Sequence, residues 1–131
     1  MANPNIVAVT NILGGNLGWN LSATLDATLM TVAAEKIVKI NRITVANVDG
    51  AAAADVSLFV DGLTTAGATG ISPTGASATV YLAKTISVPA DATLVISDTP
   101  IYLMEGDILK GGASAASDLD LFISYEVLDD A

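Results

Sequence analysis

The chain has 131 residues and contains neither cysteine nor histidine. Without cysteine there is no disulfide and no thiol nucleophile. Without histidine the chain lacks the commonest general base, the usual partner of a catalytic serine and the commonest metal ligand. Positive charge is also scarce: 5 Lys and Arg stand against 14 Asp and Glu, a formal net charge of −9. Phosphate recognition relies on clustered Lys and Arg, so the balance argues against nucleic acid and against an anionic membrane surface. Aromatic side chains are few, with one Trp, three Tyr and two Phe, which is sparse for a sugar-binding platform of exposed rings. No apolar run approaches the roughly 18 residues of a membrane-spanning helix. The start, "MANPNIVAVTNIL", has no basic segment followed by a continuous apolar run, so it does not read as a secretory signal. A cytosolic origin is expected.

What is present is apolar and small. Hydrophobic residues make up 52% of the chain, many of them Ala. The surface of a free-standing domain is usually rich in charge. The shortage of it here leads us to expect that neighbouring subunits cover part of this one.

The ruling pattern is period two with β-branched residues, which specifies strands. "LGWNLSATL" sets Leu17, Trp19, Leu21, Ala23 and Leu25 on one face, with Trp19 expected in the core. "DVSLFVD" aligns Val56, Leu58 and Val60, and "DLDLFISYEV" aligns Leu119, Leu121, Ile123, Tyr125 and Val127. In "EKIVKINRITVANV" the phase flips between Ile40 and Ile43. A bulge near Asn41-Arg42 would reset it. A helix through Ile37, Ile40 and Ile43 is the alternative, disfavoured by the β-branched content. Residues 26–34 are ambiguous and could hold a short helical turn. "NILGGN", "NVDGAAAAD", "MEGD" and "KGGASAASD" read as turns, and Gly62 to Ser77 as the longest loop. "TISVPADATLVI" reads as strand, corner, strand, because Pro89 cannot donate to a sheet ladder. The expectation is an all-β fold: a single-domain antiparallel β-sandwich over residues 1–131, jelly-roll-like, with about eight or nine short strands. Residues 1–14 form an N-terminal arm or strand.

Constellations for chemistry are missing. Glu105 and Asp107 flank a Gly, Asp118 and Asp120 share a strand face, and Asp129 and Asp130 are adjacent. None has the spacing of a calcium loop. There is no Gly-x-Ser-x-Gly or Ser-x-x-Lys, and the Gly-rich "ILGGNLG" and "LKGGAS" lack the Lys and Ser/Thr of a phosphate loop. We expect no enzyme, no cofactor, no metal site and no small-molecule substrate.

Contact residues are the better candidates. Phe59 and Phe122 each lie opposite the apolar row of their strand. Each reads as half of a cross-strand aromatic pair, as part of a face covered by a loop, or as a subunit contact. The arm is apolar on both alternating faces and would aggregate as an open edge. It is therefore either central in its own sheet or paired with a neighbour. The candidate contacts are Asn5, Ile6, Val7, Val9, Ile12, Phe59, Ile71 and Phe122, with the loop Thr64 to Ser77.

The segments "MANPNIVAVTNILG", "KINRITVANVDGAAAADVSL", "YLAKTISVPADATLVI", "PIYLMEGDIL" and "SYEVL", in that order, resemble small virion structural proteins of tailed bacteriophages, including cyanophage and other marine phage examples. The resemblance covers most of the chain and weakens across Gly15–Glu35 and Gly62–Ser77. It implies a non-enzymatic virion component and carries over no catalytic residue. The leading expectation is a capsid decoration, or cement, protein. It would be made in the host cytoplasm and placed on the outer capsid surface. Its partners would be the major capsid protein and copies of itself, as a homotrimer. A tail, neck or fibre component and a host-surface or glycan-binding module stay open.

Overall fold

The computed structural model describes residues 9–63 and 74–129, and among them there are nine strands and no helix. The strands are β1 (Asn11–Asn20), β2 (Thr28–Thr31), β3 (Lys36–Asn47), β4 (Ala54–Asp61), β5 (Val80–Val88), β6 (Thr93–Ser97), β7 (Ile101–Leu103), β8 (Ile108–Ala113) and β9 (Leu119–Asp129). They form two antiparallel sheets. One has the order β1-β9-β3-β6, with β7 also on β3; the other has the order β2-β8-β4-β5.

This order describes one long antiparallel ribbon wound into a sandwich. β4 pairs with β5, β3 with β6 and β7, β2 with β8, and β1 with β9. Cross-pairings β9–β3 and β8–β4 then close each sheet. Such winding is the jelly roll, so the expected class holds. The tip of the ribbon is the Gly62–Thr79 connection. Its base is tied by Leu63 N–H to the Ala78 carbonyl (3.0 Å) and by the Thr79 hydroxyl to the Asp61 carboxylate (2.7 Å). Lys110 reaches the same carboxylate at 3.1 Å. The Thr79 hydroxyl, Lys110 and the Gly62 N–H together hold the Asp61 pKa below its ordinary value.

The core lies between the sheets. Val38, Ile40, Ile43, Val45, Leu119, Leu121 and Ile123 face Val56, Leu58, Val60, Ala83, Val88 and Leu109 in one buried cluster. Each such side chain contributes on the order of 1.5–3 kcal/mol through removal from water. Trp19 is partly buried against this cluster. The phase flip in β3 is the expected bulge: its register against β9 shifts between Ile40 and Arg42, and the side chain of the extra residue, Asn41, donates to Glu126 (3.0 Å). Residues 26–34 contain strand β2, where a helical turn was an option.

Two expected turns are strand instead. Both contain a Gly-Gly pair. "NILGGN" is the first part of β1, so residues 11–14 of the arm and the "LGW" strand are one continuous element ending at Asn20. "KGGA" is the end of β8. These glycines make space. A Cβ on Gly15 would sit 2.8 Å from the Tyr125 hydroxyl, whose ring lies across the strand pair. A Cβ on Gly111 would collide with the Ser57 carbonyl of β4, and one on Gly112 with the Thr24 carbonyl of the β1–β2 connection. A missing side chain in a strand often marks such a close backbone approach.

The corner after β5 is as expected. Ala92 N–H donates to the Pro89 carbonyl (3.1 Å), and Asp91 takes a left-handed φ of 56°. Buried Asn47 ties this corner to the β3–β4 turn. Its side-chain amide donates to the Ala52 and Val88 carbonyls, its oxygen accepts from Asp49 N–H, and its own N–H donates to Ala92.

Gly111→Ala and Gly112→Ala should each cost about 2–3 kcal/mol, because the new methyl meets rigid backbone. Gly50→Ala, where a Cβ would have only ordinary contacts at 3.6 Å, should cost far less. Urea or thermal unfolding of the three variants measures the difference.

Candidate interaction surface

Alternation along β9 sends Leu119, Leu121 and Ile123 into the core and turns Asp120, Phe122, Ser124 and Glu126 to the outer face. The register carries that face across to β1 through the pairs Gly18–Phe122, Asn16–Ser124, Gly14–Glu126 and Ile12–Leu128. Phe122 is 47% exposed and Ile12 59%. On the other side of Phe122, Thr44 of β3 leads to Val95 of β6, which is also exposed. The outer face of this sheet thus carries Phe122 and Val95 as exposed apolar side chains on either side of Thr44, with Ile12 apart from them beyond Asn16, Ser124 and Glu126. Beside that ring is a depression of about 310 Å³, lined by Gly18, Trp19, Asn20, Asp120 and Phe122 among others. The Asn20 amide donates to Asp120 at 2.7 Å and forms part of its wall.

Phe59 has a different fate. It is 7% exposed, and its ring stacks at 4.9 Å on Tyr81, its cross-strand partner on β5. The Lys84 ammonium lies 5.0 Å above the Tyr81 ring. Phe59 is therefore half of a cross-strand aromatic pair, and as a subunit contact it is corrected: Tyr81 covers its surface and is the exposed member. Val9 is half-buried just before β1. Asn5, Ile6, Val7 and Ile71 lie outside the described residues. The exposed Tyr102, which pairs with Lys39 on the outer face of the β9 sheet, was not foreseen, because β7 is too short to show a period.

The arm is described only from Val9 onward, and its residues 1–8 lie outside the described residues. β1 is an edge: among the described residues it pairs with β9 alone. At this side the sandwich also gapes. A cleft of about 250 Å³ opens between the sheets, with Leu17, Met30, Val38, Tyr125 and Val127 in its lining.

The carboxylates serve the backbone. Glu105 accepts from Glu35 N–H and Asp107 from Met104 N–H, both at 2.8 Å, which fixes the β7–β8 turn against the β2–β3 connection. Among the described residues no three His, Cys, Asp or Glu side chains group as a metal site. Asp107 is buried, and its second oxygen has no hydrogen-bond partner among them. Burial pushes its carboxyl above the ordinary value, against the pull of the Met104 N–H.

No protein family, no curated protein and no solved structure matches the chain.

Two measurements follow from these placements. Phe59→Ala should cost about 3–4 kcal/mol in stability, whereas Phe122→Ala should cost less than about 1 kcal/mol. Equal losses in denaturant unfolding would contradict the burial difference. For Asp107, the folded chain keeps the proton to higher pH than the unfolded chain does. Its contribution to stability is present below the ordinary carboxylate value and is lost as pH rises through the raised one. Asp107→Asn should therefore stabilise the fold near neutral pH by about 1 kcal/mol. The gain should shrink in melts near about pH 4. A gain independent of pH would show that the charge is not its source.

Proposed function

We propose that the chain is a non-enzymatic structural component of a tailed-phage particle, and that it acts as a capsid decoration protein on the major capsid protein lattice. The observation that carries this reading is the exposed Phe122 and Val95 on the outer face of a sheet whose edge strand, β1, pairs on one side alone among the described residues. Such a surface fits protein contact better than turnover. The sequence resemblance points the same way. Jelly rolls occur in viral capsid proteins, as well as in lectins and cupins, so the fold agrees with the reading but does not single it out. The mechanism is additive: a modest contact, repeated by the symmetry of a shell, holds neighbouring capsid subunits together.

A second reading rests on the depression beside Phe122. An aromatic ring next to an amide and a carboxylate also suits a sugar, and a glycan-binding module would use that arrangement.

Purified particles of the phage that makes the chain test the first reading. Its copy number should be comparable to that of the major capsid protein; a few copies per particle would place it in tail, neck or fibre. Particles stripped of it should lose heat resistance and regain it on adding the chain back. Phe122→Ala should rebind about tenfold more weakly. Unchanged heat resistance after stripping would rule out a cement role. Binding of the isolated chain to a glycan panel, abolished by Phe122→Ala, would favour the second reading.

A further inference from the structure

The sandwich has four edges, and three are blunted in the ways that keep edges from pairing. β2 has only four residues and a register shift, and β6 and β7 have five and three. β5 is longer but carries two register shifts, Lys84 and the left-handed Thr85. β1 has none of these devices. It runs for ten residues in unbroken register with β9, without proline and without charge. No charged residue precedes Asp26, in a chain of net charge −9.

The open side of β1 can be assigned residue by residue. Leu21 N–H donates to the Leu119 carbonyl (2.8 Å), in the same register as β1 on β9. Odd-numbered residues of β1 thus bond to β9, and the amides and carbonyls of Ile12, Gly14, Asn16, Gly18 and Asn20 face outward. Two of these are glycines of a different kind from those at 15, 111 and 112. A Cβ on Gly14 would meet nothing within 4 Å, and one on Gly18 nothing closer than 3.7 Å. Packing among the described residues gives no reason for either. Leu13, on the inner phase and paired with Val127 of the cleft lining, is 58% exposed.

We propose that β1 pairs antiparallel with β1 of a second copy, about a two-fold axis near Gly15–Asn16, joining the two β9 sheets into one. The strand is self-complementary. The registers allowed by its outward groups, centred on Gly15 or on Asn16, set Leu13 opposite the partner's Leu17 or the partner's Trp19. Either choice covers Leu13. Bare Gly14 and Gly18 let the joint lie flat, and the absence of charge lets two acidic chains meet here and not elsewhere. A two-fold joint makes a dimer, where the resemblance implied a trimer. It does not depend on which particle, if any, carries the chain.

The test is sedimentation equilibrium with residue-resolved amide exchange on the full chain. At about 100 μM, where a modest interface is populated, the mass should be twice the 13.2 kDa of one chain. The amides of Gly14, Asn16 and Gly18 should exchange at least tenfold more slowly there than on dilution. Those of Leu13, Gly15 and Leu17 should stay protected throughout. Asn16→Pro removes an outward amide and should give a folded monomer, since an edge tolerates proline. A monomer at the higher concentration overturns the proposal. So does any oligomer whose even-numbered amides exchange freely, or a monomer in which they are already protected.

Discussion

The ladder on either side of β9 is the constraint on which the other features depend. Leu119–Asp129 pairs along its whole length with β1 on one side and β3 on the other. Its inward residues supply the middle of the core, and its outward residues supply Phe122 and the wall of the depression beside it. Because one register fixes both faces, a slip of one residue would bury Asp120 and Phe122 and expel Leu121. The bulge at Asn41 exists to keep β3 in step with this strand. Its side chain bonds to Glu126, so the local irregularity is fastened to the element that requires it.

The sequence showed the strands that alternate cleanly. In β4 and β9 the apolar row is continuous, and Val56, Leu58, Val60, Leu119, Leu121 and Ile123, which the period selects, are buried, although Ser57, Phe59 and Leu128 on the opposite phase are buried too. It also showed the bulge, because a change of phase inside a β-branched run has few other causes. The errors share one origin. Gly-Gly at 14–15 and at 111–112 carries the chemical signature of a turn, and locally nothing contradicts that reading. What makes them strand is a ring, a carbonyl and a crossing segment supplied by residues far away in the chain: Tyr125, Ser57 and Thr24. Joining residues 11–14 to the next strand followed from the same fact, and so did the finding that β1 is an edge among the described residues.

The contact surface was legible in part. Opposition to the apolar row picked out both phenylalanines, but the rule cannot say what stands beside each. Phe59 has Tyr81 across a bulged edge strand and is covered. Phe122 has Gly18 on one side and Thr44 on the other, neither large enough to cover it. Side-chain size at the register partner, a property of the pairing rather than of either strand, separates a stacked ring from an exposed one. The depression beside Phe122 owes its existence to the same small neighbour.

The winding of the ribbon also sets an order of events at the ribosome. Every strand before the Gly62–Thr79 tip has its ribbon partner after it, and β1, the first to emerge, waits for β9, the last. Until Leu119–Asp129 is made, the uncharged, ten-residue β1 has no ladder to join. β4 and β5, adjacent across the tip, are the first pair that can close, and the sandwich then zips outward toward its ends as length becomes available. Completion of the fold thus waits for Leu119–Asp129, and nascent chains spaced along one message expose the same neutral strand to one another while they wait.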